Sequence, residues 1–318
     1  MTTNSVTAYA PGSVGNMGPG LDILGLAVAG GGDTVTATWC DEPGIHVREP
    51  GLAELPAAAD RHTAGMAATS VLRQAGDVLA GRRPGIALRV TKGLPLSGGQ
   101  GGSAASAVAA AVAVNRLLGH PLDTAALLGA CLRAEEVVAG RHLDNIAPSL
   151  LGGCVLIRSL DPIEVTSLPV PAGLRVVLAH PDQRMRTAEA RSVLPEIVPR
   201  QIALQQAANV ATMVHALHTG DLALLGRAID DRIAEPVRGP LLKGFREAKA
   251  AALAAGAFGC SISGSGPTAF ALADAATAEP VGRAMAAAYA VLGIACRVRV
   301  AEVDEQGARV VEEVRGGT

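Results

Sequence analysis

The chain has 318 residues, of which 49% are hydrophobic and only 2% aromatic, and it carries a formal net charge of −2. This length allows a sizeable core and favours two domains over one, with a core built mainly from Val, Leu, Ile and Ala. The small net charge and the lack of any basic run argue against nucleic acid and membrane surfaces as partners.

The cysteines and the N-terminus favour a protein of the reducing cytosol. The five cysteines are scattered without a C-x-x-C pair, which argues against a zinc site and a disulfide scaffold. The first six residues show neither the charged nor the apolar region of a signal peptide, and the apolar run 107–114 is too short to span a membrane. We therefore expect a soluble cytoplasmic protein.

In the first half of the chain, predicted strands and helices alternate. The predicted strands are 6–9, 24–29, 34–39, 85–90 and 154–157, and the predicted helices are 63–79, 104–118 and 122–138. Asp123 or Thr124 is expected near the N-cap of the last of these helices. Proline and polar residues cluster over 159–173, which predicts a boundary between a domain of residues 1–165 and a domain of residues 166–318.

The second half repeats this mixed pattern. Its predicted strands are 174–179, 270–273 and 296–303, and its predicted helices are 188–194, 201–217, 222–233, 244–255 and 277–292. No repeat with a period of tens of residues stands out. The chain is therefore predicted to be a mixture of helices and strands in two parts.

The most informative segment is the glycine-rich stretch 93–106, which follows a predicted strand and leads into a predicted helix. Five of its residues are glycine. Glycines let backbone N–H groups approach phosphate oxygens, and a helix N-terminus adds partial positive charge. The segment lacks the lysine that a Walker-type loop places beside its last hydroxyl, since the chain's lysines are Lys92, Lys243 and Lys249. A nucleotide bound here would be held by a different arrangement.

Two further glycine-rich segments, 10–26 and 259–272, could also bring backbone close to a ligand. The first contains Asn16 and Asp22 among its glycines, and the second leads directly into an apolar strand. Each is equally compatible with an ordinary turn between strands.

Segment 140–148 places an imidazole, a carboxylate and an amide within four residues: His142, Asp144 and Asn145. It follows a helix that carries Glu135. The alternative is a turn that ends this helix, with Asp144 and Asn145 bonding their own backbone.

Two arginines in the second half are candidates for binding a carboxylate. Thr187 and Arg191 are four apart on a predicted helix and share a face, and Arg238 follows Glu235-Pro236 at a helix end. A guanidinium binds a carboxylate through two parallel hydrogen bonds. The alternative for either arginine is an ordinary solvated surface charge.

Taken together and in this order, the three glycine-rich segments resemble the three motifs of the GHMP kinase superfamily. Segment 11–26, the run His142-Leu143-Asp144-Asn145-Ile146-Ala147-Pro148 and segment 263–268 are similar to homoserine kinases in particular, and the matches extend from Ala10 to Thr268. This resemblance implies an α+β fold of two lobes, an N-terminal lobe like S5 domain 2 and a ferredoxin-like C-terminal lobe, with the active site between them.

The resemblance also implies a reaction: the ATP-dependent phosphorylation of the hydroxyl of L-homoserine to O-phospho-L-homoserine, in threonine biosynthesis. ATP would contact Pro95, Leu96, Ser97, Gly98, Gly99, Gln100, Gly101, Gly102, Ser103, Ala104, Ala105 and His62, and Mg²⁺ would be held by Ser103 and Glu135. Homoserine would contact Asn16, Asp22, His142, Asp144, Asn145, Thr187, Arg191, Arg238 and Gly264. Catalytic roles are implied for Asp144, Asn145 and Arg191. A homodimer is left open.

Elementary chemistry agrees with these roles. Homoserine is a small zwitterion, so its carboxylate requires a guanidinium and its ammonium requires carboxylate or amide oxygens. Phosphoryl transfer asks mainly for positioning and charge neutralisation, which N–H groups, a helix dipole and Mg²⁺ supply without a loop lysine. Asp144 is the natural candidate for a base, with binding of the ammonium as its alternative role.

Two departures from the family pattern bear on nucleotide binding. The family's phosphate loop usually ends Gly-Leu-Gly-Ser-Ser, whereas this chain has Gly99-Gln100-Gly101-Gly102-Ser103. In addition, His62 stands where relatives commonly carry asparagine. Two alternative functions remain: a GHMP kinase for a mevalonate-like or sugar substrate, and a catalytically silent ligand sensor of the same fold. Both Ser103 and Glu135 are present as metal-ligand candidates, which argues against the sensor.

Overall fold

The computed structural model describes residues 3–76 and 84–316, which form two β-sheets flanked by helices. The strands are β1 (Thr3–Gly15), β2 (Leu24–Cys40), β3 (Gly44–Glu49), β4 (Gly85–Thr91), β5 (Cys154–Leu160), β6 (Ile163–Leu168), β7 (Arg175–Pro181), β8 (Gly259–Ile262), β9 (Ala269–Ala273), β10 (Cys296–Ala301) and β11 (Arg309–Arg315). The helices are α1 (Thr63–Gln74), α2 (Gly102–Leu117), α3 (Thr124–Val138), α4 (Ile146–Leu151), α5 (Thr187–Ser192), α6 (Arg200–Thr219), α7 (Leu222–Ala228), α8 (Glu235–Arg238), α9 (Phe245–Ala254) and α10 (Ala278–Val291).

The first sheet is built around β2, which pairs with β1, β4 and β5. Its strand order is β11-β1-β2-β4-β3, with the hairpin of β5 and β6 joined to the start of β2. The two strands predicted at 24–29 and 34–39 are thus one continuous strand. Val28 pairs with Gly12 and Gly32 pairs with Pro11, so the residues between Val28 and Gly32 bulge out of the ladder instead of ending it.

Helix α2 forms the centre of the core on this sheet. Its sequence is dominated by alanine and valine, and twelve of its residues are buried. A helix that is apolar on every side is one that is covered on every side. Here β1, β2, α1 and α3 cover it, and its small side chains allow them to pack closely. Because α2 begins directly after the glycine-rich loop, this packing fixes the position of the loop's C-terminal end.

The second sheet has the order β10-β7-β9-β8 and is antiparallel throughout. Strand β7 shows why both faces are covered, since its apolar residues alternate between two cores. Val176 and Leu178 pack with α6, α7 and the start of β2, whereas Val177 and Ala179 pack with α9 and α10. The first of these cores therefore joins the two sheets.

Several elements differ from the sequence predictions. Segment 159–173, where the domain boundary is predicted, contains β6, and this strand pairs with β5. The helix predicted over 222–233 ends at Ala228. The end of the helix predicted over 63–79 lies outside the described residues, beyond Gln74. Strand β11 pairs with β1 in the first sheet, although it lies at the far end of the chain. The division at residue 165 stays a prediction.

Nowhere in ranges 3–76 and 84–316 does a helix combine the length and apolar character needed to cross a membrane.

Candidate active site

A cavity of about 470 Å³ lies where the two sheets meet, and it brings the predicted segments together. Every predicted site residue lines it except Gln100, Ala104 and Ala105. These three are buried behind the loop, Ala104 and Ala105 because they point into the core around α2. Their predicted contact with ATP stays a prediction.

The loop between β4 and α2 forms one wall of the cavity, and its glycines have a conformational reason. Gly99 and Gly101 have φ of +71° and +69°, and a Cβ on Gly101 would collide with the Ser13 hydroxyl. On the outer side of the loop, Gly98 O accepts a hydrogen bond from Thr268 Oγ1 (2.5 Å) and Gly99 O accepts one from Ser263 Oγ (2.6 Å).

Among the described residues, no group accepts a hydrogen bond from the backbone N–H of residues 98–101. Gly101 is the N-cap of α2 and offers no side chain, so the first N–H groups of this helix also lack a capping partner. Free N–H groups and a helix N-terminus facing one cavity form an anion-binding site.

A lysine with a buried side chain bonds the C-terminal end of the loop, and no sequence pattern indicated this role. Lys92 Nζ donates to Asp33, to Gly102 O (2.8 Å) and to Ser106 Oγ (2.9 Å). Asp33 also accepts from Ser106 Oγ (2.6 Å) and from Gly93 N (3.0 Å). All three ammonium protons have protein acceptors, so Lys92 holds the start of α2 in place instead of reaching freely into the cavity.

Ser103 and Glu135, the predicted metal ligands, lie side by side. Ser103 Oγ donates to Glu135 Oε2 at 2.9 Å, and Glu135 is 5% exposed. Burial raises the pKa of the Glu135 carboxyl, while the charge of His142 and the Ser103 hydrogen bond oppose this rise.

His142, Asp144 and Asn145 form a hydrogen-bonded chain that ends at β1. His142 Nδ1 bonds Asp144 Oδ1 (2.9 Å), Asn145 Nδ2 donates to Asp144 Oδ2 (3.2 Å), and Ser13 Oγ donates to Asn145 Oδ1 (2.9 Å). These side chains bond one another and not their own backbone, which disfavours the simple turn considered above. Sequence alone gave no signal for Ser13.

The imidazole of His142 is placed to carry a positive charge. Its Nδ1 faces a carboxylate and its Nε2 faces Ala139 O (3.2 Å), so both nitrogens meet acceptors. Burial disfavours the charged ring, but the hydrogen bond to Asp144 and its negative charge outweigh burial and raise the pKa of His142 to about 9.

Asp22 and Arg191 form a bidentate ion pair across the cavity. Arg191 Nη2 and Nη1 donate to the two Asp22 oxygens at 2.6 and 3.2 Å. Asn16 holds Asp22 in place, because its Oδ1 accepts the Asp22 N–H at 3.0 Å, and both residues have left-handed φ values of 68° and 62°. From their charges, Asp22 and Arg191 are expected to bind opposite ends of a substrate. The structure pairs them with each other.

Arg238 is 3% exposed and lies behind this pair. Its Nε donates to Ala190 O (2.9 Å) and its Nη1 to Gly264 O (3.3 Å), and burial together with the charge of Arg191 lowers its pKa. Thr187 begins α5, the short helix that carries Arg191. The alternative that these arginines are solvated surface charges is therefore wrong for Arg238.

Asp22, His142 and Asp144 offer ligand atoms within 4.8 Å of one another, a spacing that suits a cation. Asp22 is already paired with Arg191 and Asp144 with His142. This cluster thus carries balanced charge, and it suits an ammonium group better than a bare dication.

His62 shapes the far end of the cavity. It caps α1 by accepting the Ala64 N–H on Nδ1 (3.1 Å), and its Nε2 bonds Pro50 O (3.2 Å). Burial lowers the pKa of His62, so the ring is neutral with its proton on Nε2. Leu55, Pro56 and Arg61 line the cavity beside it, and no sequence pattern pointed to these three.

Comparisons with known proteins agree with this geometry. Residues 62–153 match the family model for the GHMP kinases N terminal domain, and residues 213–291 match the model for the GHMP kinases C terminal domain. The chain is 40% identical to a homoserine kinase of Chlorobium phaeobacteroides, over 96% of this chain and 99% of that one. It is also 40% identical to a homoserine kinase of Arabidopsis thaliana, over 98% of this chain and 85% of that one.

Solved structures give the same result. The chain superposes on a crystal structure of homoserine kinase from Cytophaga hutchinsonii with a TM-score of 0.91 and 39% identity, covering 98% of both chains. A mevalonate kinase of L. major is similar in fold alone, with a TM-score of 0.64 and 18% identity over 88% of this chain and 90% of that one.

Proposed function

The chain belongs to the homoserine kinase family of GHMP kinases, and we propose that it transfers the γ-phosphoryl group of ATP to the hydroxyl of L-homoserine. The observation that carries this proposal is a single cavity in which free loop N–H groups face a cluster of paired carboxylates and guanidinium groups. The first set suits a triphosphate and the second suits a small zwitterion.

The triphosphate binds against residues 97–103. Their N–H groups and the N-terminus of α2 receive the phosphate oxygens, and the adenosine extends toward the wall formed by Leu55, Pro56 and His62. No lysine is needed, because preorganised N–H donors stabilise the developing charge without further rearrangement.

Ser103 and Glu135 fit Mg²⁺, which prefers oxygen ligands, usually one or two carboxylates together with substrate phosphates. Glu135 accepts a hydrogen bond from Ser103, and its buried carboxyl would gain stabilisation of its ionised form from a nearby dication. When bound, Mg²⁺ neutralises charge on the β- and γ-phosphates. The hydrogen bond between Ser103 and Glu135 orients both side chains.

When homoserine binds, its ammonium and carboxylate groups take the place of the direct contact between Asp22 and Arg191. Its carboxylate takes the guanidinium of Arg191, with Arg238 behind it, and its ammonium takes Asp22 and the Asn16 amide. Thr187 and Gly264 complete this end of the cavity. The pair at 2.6 and 3.2 Å is therefore a preformed receptor for a zwitterion.

Asp144 and Asn145 receive the hydroxyl end. They lie next to the phosphate loop, because Asn145 bonds Ser13, the residue that would collide with a side chain on Gly101. The hydrogen bond from His142 holds the Asp144 carboxyl group in place, so Asp144 accepts a hydrogen bond from the substrate hydroxyl and aligns its oxygen with the γ-phosphorus. Positioning of this kind is most of what phosphoryl transfer requires.

The alternative substrates can be separated by one experiment. ADP release is measured with L-homoserine, D-homoserine, mevalonate, galactose and shikimate, each with Mg²⁺ and with excess chelator. We expect metal-dependent release with L-homoserine and much slower release with the others. Equal or faster turnover of an alcohol that is not an amino acid would contradict the proposal, and binding of ligands without ADP release from any of them would support the sensor.

A further inference from the structure

Gln100, which replaces an apolar residue of the family pattern, connects the phosphate loop to the second sheet. Its side chain is 7% exposed and does not line the cavity. The amide Nε2 donates to Thr268 Oγ1 at 3.3 Å, and Oε1 accepts from Arg299 Nη2 at 3.3 Å. Both ends of this amide are therefore bonded to residues of the C-terminal half.

The orientation of the amide is set by the hydroxyl of Thr268. This hydroxyl donates to Gly98 O (2.5 Å) and faces His180 Nδ1 (3.0 Å) and Gln100 Nε2 (3.3 Å). A hydroxyl has one proton, so with Gly98 as its acceptor it must accept from the other two groups. The nitrogen of the Gln100 amide therefore points at Thr268, and its oxygen is left for Arg299.

Arg299 lies on β10, the edge strand of the second sheet, and its partners are neutral oxygens. It donates to Gln100 and to Ala29 O, in the bulge of β2. Within residues 3–76 and 84–316, no carboxylate forms an ion pair with Arg299, and burial lowers its pKa. A half-buried guanidinium that gives up solvation for two uncharged oxygens is a specific contact between β10, β2 and the loop.

We propose that Gln100 is a positioning residue for nucleotide binding. Its hydrogen bonds to Thr268 and Arg299 fix the loop peptides 98–101 relative to the second sheet. This inference rests on the proposed use of the loop as the phosphate site. In this turn the carbonyls of Gly98 and Gly99 accept hydrogen bonds from Thr268 and Ser263, and the N–H groups of residues 98–101 have no acceptor among the described residues. Loss of the Gln100 contacts lets this turn relax, and the N–H groups then meet the phosphates less well.

The experiment compares R299M, Q100L and the double variant with R297M. Arg297 is a matched control, since it is exposed on the same strand, two residues away, and carries the same charge. ADP affinity in the presence of Mg²⁺ is measured by calorimetry, and KM for ATP and for homoserine by ADP release. We expect R299M and Q100L each to weaken ADP binding by about 3- to 10-fold, the range for one hydrogen bond. The KM for homoserine should stay near the wild-type value.

The double variant decides between coupling and two separate effects. If Arg299 acts through Gln100, the double variant binds ADP about as weakly as either single variant. If the two effects multiply, or if R299M weakens ADP binding no more than R297M, the proposal is overturned. R299K keeps one donor and should recover part of the affinity, which guards against a loss of folding in R299M. A folded R299K that binds no better than R299M also overturns it.

These results are distinguishable from a failure of the proposed function. ADP affinity is measured without homoserine, so a wild-type protein that binds ADP but does not phosphorylate homoserine contradicts only the substrate assignment. A wild-type protein that binds no ADP overturns both proposals.

Discussion

Replacing Lys92 with methionine should strongly destabilise the protein, because it removes the cation that balances a fully buried carboxylate. The side chains of Lys92 and Asp33 are 4% and 0% exposed. In the variant, Asp33 keeps its hydrogen bonds from Gly93, Leu94 and Ser106 but no longer faces a positive charge. Breaking one side of a buried ion pair costs about 3–5 kcal/mol, and this is the loss we expect in the free energy of unfolding.

The measurement is denaturant unfolding, and the chain offers a matched control. Arg89 lies on β4, three residues before Lys92, and pairs with Glu49, but these side chains are 62% and 63% exposed. An exposed pair contributes about 0–1 kcal/mol, so R89M should cost little.

A second variant tests the mechanism. Asn at position 33 accepts the same backbone hydrogen bonds without a charge, so K92M with D33N should be more stable than K92M alone. A loss of less than about 1 kcal/mol in the free energy of unfolding of K92M would show that Lys92 does not stabilise the buried charge of Asp33. A double variant no more stable than K92M would refute the charge explanation.

Four further predictions concern the cavity. S103A should lower kcat by roughly 100-fold in the ADP-release assay. Near-normal kcat in S103A would contradict the assignment of the loop as the phosphate site. G102S should be tolerated, since the nearest atom to a new Cβ lies 3.4 Å away and Gly102 is not at positive φ. R238L or R191L should raise KM for homoserine by the equivalent of about 2–5 kcal/mol with ATP binding nearly unchanged, and an equal loss of ATP affinity would contradict the assignment. The pKa of His142 is raised from 6.5 to about 9. Its contribution to stability is therefore complete below pH 6.5, and the free energy of unfolding should fall by roughly 3 kcal/mol as the pH rises through 9. H142Q should not show this decline.

The sequence predicted most of the elements because hydrophobic periodicity and capping residues are local signals. Helix α3 begins after Asp123, whose carboxylate accepts the Ala126 N–H at 2.8 Å, as its N-cap position indicates. The two-domain GHMP kinase fold with mixed helices and strands, predicted from the motifs, is confirmed by the superposition on the Cytophaga hutchinsonii structure. What periodicity could not predict was pairing between distant segments. Strand β11 is mostly exposed, and only its partner β1 identifies its place.

The site could be predicted only where a motif was recognised. Residues with no motif were missed, although they support the predicted ones. Asp33 and Ser106 are 59 and 14 residues from Lys92 in sequence, and their contact depends on how β2, β4 and α2 pack. Ser106 bonds the buried Asp33 carboxylate, so its substitution should affect stability more than turnover.

Under the proposed assignment, the ion pair of Asp22 and Arg191 also determines which alcohols the cavity accepts. A zwitterion can replace both members of the pair, giving each a partner of the opposite charge. Mevalonate offers a carboxylate but no ammonium, so it would take Arg191 and leave Asp22 without its cation, in a cavity where Asn16 holds it in place. An uncharged sugar would have to leave the pair closed or open it without replacement. An unpaired, partly buried charge costs more free energy than the absence of one favourable contact with the substrate. The Asp22–Arg191 pair therefore selects amino acids, because binding of any other substrate leaves one of these charges without a partner.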